Sequence, residues 1–232
     1  SFLSVPQNIY DMKVAVIGGH LTPALSVIEQ LEDDQVLYVG RKHGLEGDSS
    51  LSLEYKTITS MGIPFFQMTT GRLQRKFTKH TLSSLLKIPY GFLQSILILR
   101  RFKPDVVLGF GGYVSLPVIF ASLLLKIPIV IHEQTLEAGL ANRIASIVAS
   151  KICISWESSK KFFPQGKTVL TGNPIRKEII EILDKGSQGE EKNNFPLIYI
   201  TGGSLGSHTI NVLVEKTVEK LLQHFKIIHF FL

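Results

Sequence analysis

Residues 13–24 read KVAVIGGHLTPA, and their order decides the fold class. Residues 14–17 are all apolar, which is typical of a strand buried on both faces of a parallel sheet. Gly18, Gly19 and His20 end the apolar run, and residues 23–31 predict a helix. A buried strand, a glycine loop and a helix in this order predict one unit of an α/β fold.

The same unit recurs along the chain. Further strands are predicted at 35–39, 105–110, 128–133, 151–155, 168–172, 197–202 and 226–232, and further helices at 116–126 and 138–149. Most of these strands are apolar on both faces and alternate with helices. We therefore predict a doubly wound α/β architecture around a parallel sheet.

A polar stretch at 177–196, KEIIEILDKGSQGEEKNNFP, interrupts the pattern. A strand, a glycine loop and a helix begin again after it, which is typical of a domain boundary. We predict a Rossmann-like domain over 1–176, a linker over 177–196 and the start of a second Rossmann-like domain over 197–232. Two strands and one helix are too few for an independent core, so we expect the second domain to be incomplete.

The composition indicates a globular protein, with 44% hydrophobic residues. No run reaches the roughly 18 apolar residues of a membrane span, and the first residues lack the order of a signal peptide. The single Cys153 fits a reducing compartment, and no Cys or His cluster has the spacing of a zinc site. We therefore predict a protein of the cytoplasm without a metal site.

The net charge of +6 is concentrated in one segment. Residues 55–104 contain nine Lys or Arg residues and no Asp or Glu. A basic surface suits nucleic acid, an anionic membrane or phosphorylated substrates. Because the segment matches no nucleic-acid reader motif, we expect no nucleic-acid partner.

Five predicted strands end in unusual loops. They read GGH at 18–20, GFGGY at 109–113, HEQ at 132–134, TGNP at 171–174 and GGSLG at 202–206. In an open parallel sheet the ligand binds outside the carboxyl ends of the strands, where glycines and helix N-termini favour phosphate. Three glycine loops therefore predict a diphosphate ligand. None spells G-x-G-x-x-G or a P-loop, which disfavours a dehydrogenase or a nucleoside triphosphatase.

These motifs resemble those of one family in order and spacing. They are GGH followed by Pro-Ala-Leu, PDVVLGFGGYVSLPV, IPIVIHEQTLEAGLANRIAS, TGNPIR and GGSLGSHTIN, and they are similar to those of the MurG family of GT-B glycosyltransferases. The resemblance implies transfer of N-acetylglucosamine from UDP-GlcNAc to a lipid-linked N-acetylmuramyl-pentapeptide in peptidoglycan synthesis, with inversion and without a metal or cofactor. It also implies that 1–176 binds the acceptor and that 197–232 begins the UDP-GlcNAc-binding domain.

The resemblance further implies roles for individual residues. The residues implied to bind the donor are Gly18, Gly19, Thr135, Arg176 and Ser204, the first two as a phosphate-binding loop. The loop implied to lie beside the acceptor diphosphate is Gly111, Gly112 and Tyr113. His132 and Gln134 are implied to line the same cleft.

Two residues are candidates for the general base of this reaction. The imidazole of His20 is a group that exchanges protons near neutral pH, and its alternative role is to hold the turn through a hydrogen bond. Glu133 is the rival base, and its alternative role is to cap the helix that follows.

The sequence departs from the family in three places. The first loop of the family usually reads G-G-T-G-G-H, whereas Ile17 here runs directly into Gly18, and Thr135 stands where the family has Asn. The family's later donor motifs lie beyond Leu232, so we expect the isolated chain to be inactive. The alternatives are a related lipid glycosyltransferase with another acceptor, and an acceptor-binding, membrane-docking subunit of a split enzyme.

A membrane-embedded acceptor gives the basic segment a role. Residues 72–103 mix cations with large apolar residues, which is typical of a segment that rests on a lipid surface. We expect peripheral attachment to the cytoplasmic face of the bacterial membrane through this segment. The alternative is an ordinary amphipathic helix pair, broken at Pro89 and packed on the sheet.

Overall fold

The computed structural model describes residues 11–43, 51–69, 81–184, 195–202 and 206–230. The chain divides into two compact units between Ile180 and Glu181. The limits of the two domains and of the linker inferred from the sequence stay a prediction.

The first unit is built on one parallel sheet. Its strands are β1 (Lys13–Ile17), β2 (Gln35–Gly40), β3 (Phe65–Gln67), β4 (Val106–Gly109), β5 (Ile129–Glu133), β6 (Lys151–Ile154) and β7 (Thr168–Leu170). They pair in the order β3-β2-β1-β4-β5-β6-β7, and every pair is parallel. The predicted doubly wound α/β class is confirmed. The sequence pattern missed β3, because three residues are too few to show a period.

The helices of the first unit are α1 (Leu21–Ile28), α2 (Leu53–Ser60), α3 (Thr81–Phe102), α4 (Ser115–Leu124), α5 (Leu140–Ala145) and α6 (Lys177–Asp184), which ends in the second unit. A 3-10 helix spans Glu157–Phe162. Helix α2 was not predicted, because only Ile58 of its residues is buried. The hydroxyl of Ser52 begins it by accepting a hydrogen bond from the Tyr55 backbone N–H at 3.0 Å.

Helix α3 continues through Pro89, so the break at this residue that the alternative interpretation of the segment expects does not occur. Gly91, Ser95 and Leu99 are buried at a spacing of four residues. Their packing holds the helix in register after the proline, which removes one backbone hydrogen bond without ending the helix.

The sheet is covered on both faces, which explains why its strands are apolar throughout. Ala15, Ile17 and Val39 belong to the larger buried cluster, together with Ile131 and Ile152. The alternate residues of β1 and β2 belong to a second buried cluster on the other face; they are Val14, Val16, Val36 and Tyr38. Successive side chains of a strand point to opposite faces, so both clusters draw on the same strands.

The second unit contains β8 (Leu197–Thr201), α7 (His208–Leu221) and β9 (Lys226–Phe230). The two strands pair in parallel, and the Ser207 hydroxyl caps α7 by accepting from the Ile210 N–H at 3.4 Å. No residue of β8 or β9 is buried. Across both units, the part of the chain that the structure describes contains no helix long and apolar enough to span a membrane.

Candidate functional site

The first glycine loop lies at the carboxyl end of β1. The Gly18 N–H donates to the Val39 carbonyl at 2.9 Å, which fixes the loop to β2. His20 occupies the N-cap position of α1, but its side chain makes no capping hydrogen bond. His20 is exposed to solvent at this edge of the sheet.

The first loop packs directly against the second. A Cβ atom built on Gly19 would overlap the carbonyl oxygen of Gly111 and lie 2.6 Å from its carbonyl carbon. Gly111 and Gly112 have φ values of +80° and +75°, a region that favours glycine. The two loops implied by the resemblance are thus in backbone contact, and glycine is required on both sides of it.

Tyr38 and Glu54 form a polar pair that lies next to Gly18 of the first loop. The Tyr38 hydroxyl donates to Glu54 Oε1 at 2.6 Å, and a Cβ built on Gly18 would lie 2.9 Å from Glu54 Cδ. Burial raises the pKa of Glu54, against the opposing effects of the Tyr38 hydrogen bond, the Arg41 N–H and the Arg41 charge. Sequence reasoning missed this pair, because Glu54 lies on a helix with a weak apolar pattern.

Glu133 is 1% exposed and its carboxylate is surrounded by donors. Oε1 accepts from the Thr135 N–H at 3.0 Å and lies 2.6 Å from the Thr135 hydroxyl. Oε2 accepts from the Gly139 N–H at 2.9 Å and from Asn142 Nδ2 at 3.0 Å. Gly139 is the N-cap residue of α5, so the Glu133 carboxylate pairs with a backbone N–H at the start of this helix, in line with its alternative role.

Asn142 is a further site residue that the sequence reasoning missed. Its Nδ2 also donates to the His132 carbonyl at 3.0 Å. A Cβ built on Gly111 would lie 3.3 Å from the same Nδ2 atom. Asn142 therefore connects the second glycine loop to the end of β5. The available signal was a polar residue on the apolar face of a helix, four residues after Ala138 and three before Ala145.

His132 is buried beside these loops. Its Nε2 lies 3.2 Å from the Gly172 carbonyl, which can only accept, so the ring nitrogen is the donor. Burial lowers the pKa of His132, and the charge of His20 lowers it further. The Gly172 contact, the Gln134 side chain and the Glu133 charge oppose this shift.

Of the remaining predicted donor residues, Thr135 lies at this edge beside Glu133, whereas Arg176 does not. Arg176 Nη2 lies 3.0 Å from Glu178 Oε1, and its Nε lies 3.5 Å from Glu29 Oε1 at the far end of α1. The Thr135 hydroxyl is directed to Glu133 and to the Glu137 carbonyl. Ser204 lies outside the described residues.

Among the residues that the structure describes, no three His, Cys, Asp or Glu side chains are grouped closely enough to hold a metal ion. This edge of the sheet carries two glycine loops in contact and the exposed residue His20. This combination suits an anionic ligand and a proton transfer.

The chain is similar to known glycosyltransferases. Residues 15–154 match the model of the glycosyltransferase family 28 N-terminal domain. A relative from Clostridium botulinum (strain Alaska E43 / Type E3) is named UDP-N-acetylglucosamine–N-acetylmuramyl-(pentapeptide) pyrophosphoryl-undecaprenol N-acetylglucosamine transferase. It is 38% identical over 231 residues, which cover 95% of this chain and 62% of the relative. The chain thus spans less than two thirds of the length of that protein.

Solved structures agree with this similarity. Acinetobacter baumannii MurG superposes with a TM-score of 0.64 and 27% identity, over 94% of this chain and 58% of that chain. The UDP-GlcNAc 2-epimerase of Neisseria meningitidis, bound to UDP-GlcNAc, superposes with a TM-score of 0.58 at 20% identity, over 94% and 65%. The second likeness concerns the fold alone. The resemblance inferred from the motifs is confirmed by the family match and by the first structure.

Replacing Gly19 with alanine should force the two glycine loops apart. Its new Cβ would overlap the Gly111 backbone, which cannot rotate away as a side chain could. We expect Gly19→Ala to lower the free energy of unfolding by about 1–3 kcal/mol, measured by urea denaturation. Gly139→Ala is the matched control, because its Cβ would lie 3.8 Å from the nearest atom and its φ is −62°. Equal stability of the two variants would contradict the tight loop contact.

His132 should make stability depend on pH. Its folded-state pKa is lowered, so below about pH 6.5 the unfolded chain binds a proton that the folded chain rejects. The stability of the wild type should therefore fall as pH decreases through this window, by at most about 1.4 kcal/mol per pH unit from this group. The stability advantage of the wild type over His132→Gln should shrink between pH 7.5 and pH 5. An advantage that stays constant would contradict the lowered pKa.

Proposed function

Because the chain belongs to glycosyltransferase family 28, we propose that it forms the acceptor-binding part of an N-acetylglucosaminyltransferase. The proposed reaction moves N-acetylglucosamine from UDP-GlcNAc to the 4-hydroxyl of a lipid-linked N-acetylmuramyl-pentapeptide. The relative with 38% identity carries this activity in its name. The observation that carries the proposal is the backbone contact between the two glycine loops at the carboxyl edge of the sheet.

That contact supports a diphosphate site for a physical reason. Gly19, Gly111 and Gly112 place no side chain at the junction, and glycine loops of this kind let an anion approach the backbone closely. The contact also lies next to β1 and β4, where the strand order reverses, and open α/β sheets bind ligands at this point. A lipid-linked diphosphate placed there would bring its first sugar close to His20.

In the proposed chemistry the 4-hydroxyl attacks the anomeric carbon of N-acetylglucosamine. The bond from this carbon to the UDP oxygen breaks, UDP leaves with the electron pair, and the configuration inverts. A base must take the proton of the hydroxyl as the new bond forms. Charge on the leaving diphosphate would be stabilised by backbone N–H groups.

The contacts support His20 as the base rather than Glu133. The imidazole of His20 is exposed and makes no capping hydrogen bond. The Glu133 carboxylate is buried, and its two oxygens are in contact with donors from Thr135, Gly139 and Asn142. A carboxylate whose two oxygens already accept hydrogen bonds must displace a donor before it can accept a proton.

The function is tested with the protein in its full natural length. Labelled UDP-GlcNAc and a short-chain prenyl diphosphate N-acetylmuramyl-pentapeptide should yield a lipid-linked disaccharide. Absence of this product, with conversion of UDP-GlcNAc to its epimer, would overturn the proposal in favour of an epimerase.

His20→Ala should lower kcat by about 10²–10⁴-fold, because a positioned base contributes a factor of this size. The KM for UDP-GlcNAc should change little, and the acidic limb of the pH–rate profile should disappear. His224→Ala is the control, since this histidine is exposed in the second unit. Activity of His20→Ala equal to that of the control would reject His20 as the base.

We also propose that helices α3 and α4 attach the protein to the cytoplasmic face of the membrane. The two helices pack together. Tyr90, Leu93 and Leu97 are exposed at spacings of three and four residues on α3, and Arg100 and Arg101 follow them.

Helix α4 adds exposed apolar residues, namely Phe120, Leu123 and Leu124. Apolar residues beside cations favour an anionic lipid surface. Residues 72–80 of the predicted segment lie outside the described residues.

Replacing both Leu93 and Leu97 with glutamate should reduce flotation with anionic vesicles by about tenfold or more, because two apolar anchors are lost and two negative charges are added. These side chains are 58% and 68% exposed, so the fold should tolerate the change. Ile147→Glu is the control, since Ile147 is 70% exposed and follows α5. Equal flotation of all three proteins, or flotation independent of anionic lipid, would reject the membrane surface.

A further inference from the structure

The Glu54 side chain fills the space between the ends of the first two strands. β1 and β2 pair in parallel with Ile17 opposite Val39, so Gly18 and Gly40 follow side by side. A Cβ built on either glycine would lie 2.9 Å from Glu54 Cδ, too close for a real side chain. The carboxylate therefore lies directly against the backbone of the first loop, and glycine at both positions makes room for it.

Two hydrogen bonds fix this carboxylate to β2 and the residue that follows it. Oε1 accepts from the Tyr38 hydroxyl at 2.6 Å, and Oε2 accepts from the Arg41 backbone N–H at 3.3 Å. Tyr38 is fully buried, and its ring stacks on Phe65 with the centroids 5.5 Å apart. Burial and the charge of Glu54 raise the pKa of Tyr38, so its hydroxyl keeps its proton and remains a donor.

The backbone that carries Glu54 is also fixed. The Ser52 hydroxyl donates to the Arg41 carbonyl at 2.7 Å, and the Ser52 N–H donates to the Lys42 carbonyl at 2.8 Å. These bonds attach the start of α2 to the chain that leaves β2. Because Glu54 lies in the first turn of α2, its side chain approaches Gly18 from a fixed backbone.

The position of His20 depends on the same loop. Only Gly19 separates His20 from Gly18, and Gly19 packs on the backbone of Gly111. The side chain of His20 makes no capping hydrogen bond to α1. The backbone of the first loop, rather than a cap, therefore determines where the imidazole lies.

We propose that the Tyr38–Glu54 pair positions His20 for proton transfer, by fixing Gly18 while Gly111 fixes Gly19. The inference rests on the proposed transferase function, in which His20 is the base. Tyr38 and Glu54 are positioning residues, since they act through the loop and need no contact with the reacting atoms. Loss of the pair should therefore reduce turnover only as long as the imidazole is present.

The test is a double-mutant cycle on the full-length protein, with kcat measured for UDP-GlcNAc and the short-chain prenyl diphosphate acceptor. Tyr38→Phe removes the hydroxyl and keeps the packed ring. It should lower kcat by about tenfold, because a small displacement of a reacting group slows the reaction strongly. In the His20→Ala background the same substitution should change kcat by less than about twofold, because the group that it positions is absent.

Ile58→Val is the matched control for stability. Ile58 is fully buried on α2 and belongs to the same cluster as Tyr38. This variant should melt at a lower temperature without a comparable loss of kcat. Equal losses of kcat in Ile58→Val and Tyr38→Phe, or a Tyr38→Phe effect that persists without His20, would overturn the proposal. If Tyr38→Phe fails to fold, Glu54→Gln and Glu54→Ala decide, because only glutamine keeps an acceptor for the Tyr38 hydroxyl and should retain more activity.

NMR signals of the His20 ring, assigned from the His20→Ala spectrum, give a measurement that does not require activity. Tyr38→Phe should shift these signals, whereas Ile58→Val should leave them in place. Unchanged signals in Tyr38→Phe would reject the positioning of His20 by the pair. An inactive wild type in which the signals still shift would support that positioning and reject the proposed transferase function.

Discussion

The site depends on one steric constraint, the contact of Gly19 with the backbone of Gly111 and Gly112. Two loops from different strands meet there with no side chain between them. Any larger residue at this position would separate the end of β1 from the loop that precedes α4. The left-handed φ values of Gly111 and Gly112 also maintain this contact, because they turn the second loop towards the first.

Buried polar groups hold the surroundings of this contact in place. The Glu133 carboxylate at the end of β5 accepts from Gly139 at the start of α5 and from Asn142. Asn142 in turn lies beside Gly111 of the second loop. The hydrogen bond from the Tyr38 hydroxyl to Glu54 stabilises the surroundings of the first loop in a similar way. Buried hydrogen bonds restrain the groups that they join, and removing one partner of such a bond is costly. The edge of the sheet is therefore preorganised by residues that need not touch a substrate.

Much of this architecture could be predicted from the sequence. Long apolar runs such as residues 13–17 identified the strands, and the loops after them identified the edge that carries the site. The short strand β3 and the helix α2 could not be found, since three residues show no period and α2 buries only Ile58. The helix break at Pro89 that the alternative interpretation expected does not occur, because tertiary packing of α3 outweighs the local preference to end a helix. Asn142 and Glu54 could not be found, because their contacts join residues that are distant in sequence.

The Glu54 carboxylate beside Gly18 determines how substitutions around the first loop combine. Its atoms occupy the space next to this loop, where a side chain at Gly18 or Gly40 would collide with them. Substitutions at Gly18, Gly40 and Glu54 therefore compete for one volume, and their effects on stability are expected to be non-additive. A smaller residue at position 54 would open space for a side chain at either glycine, at the cost of the hydrogen bond from Tyr38.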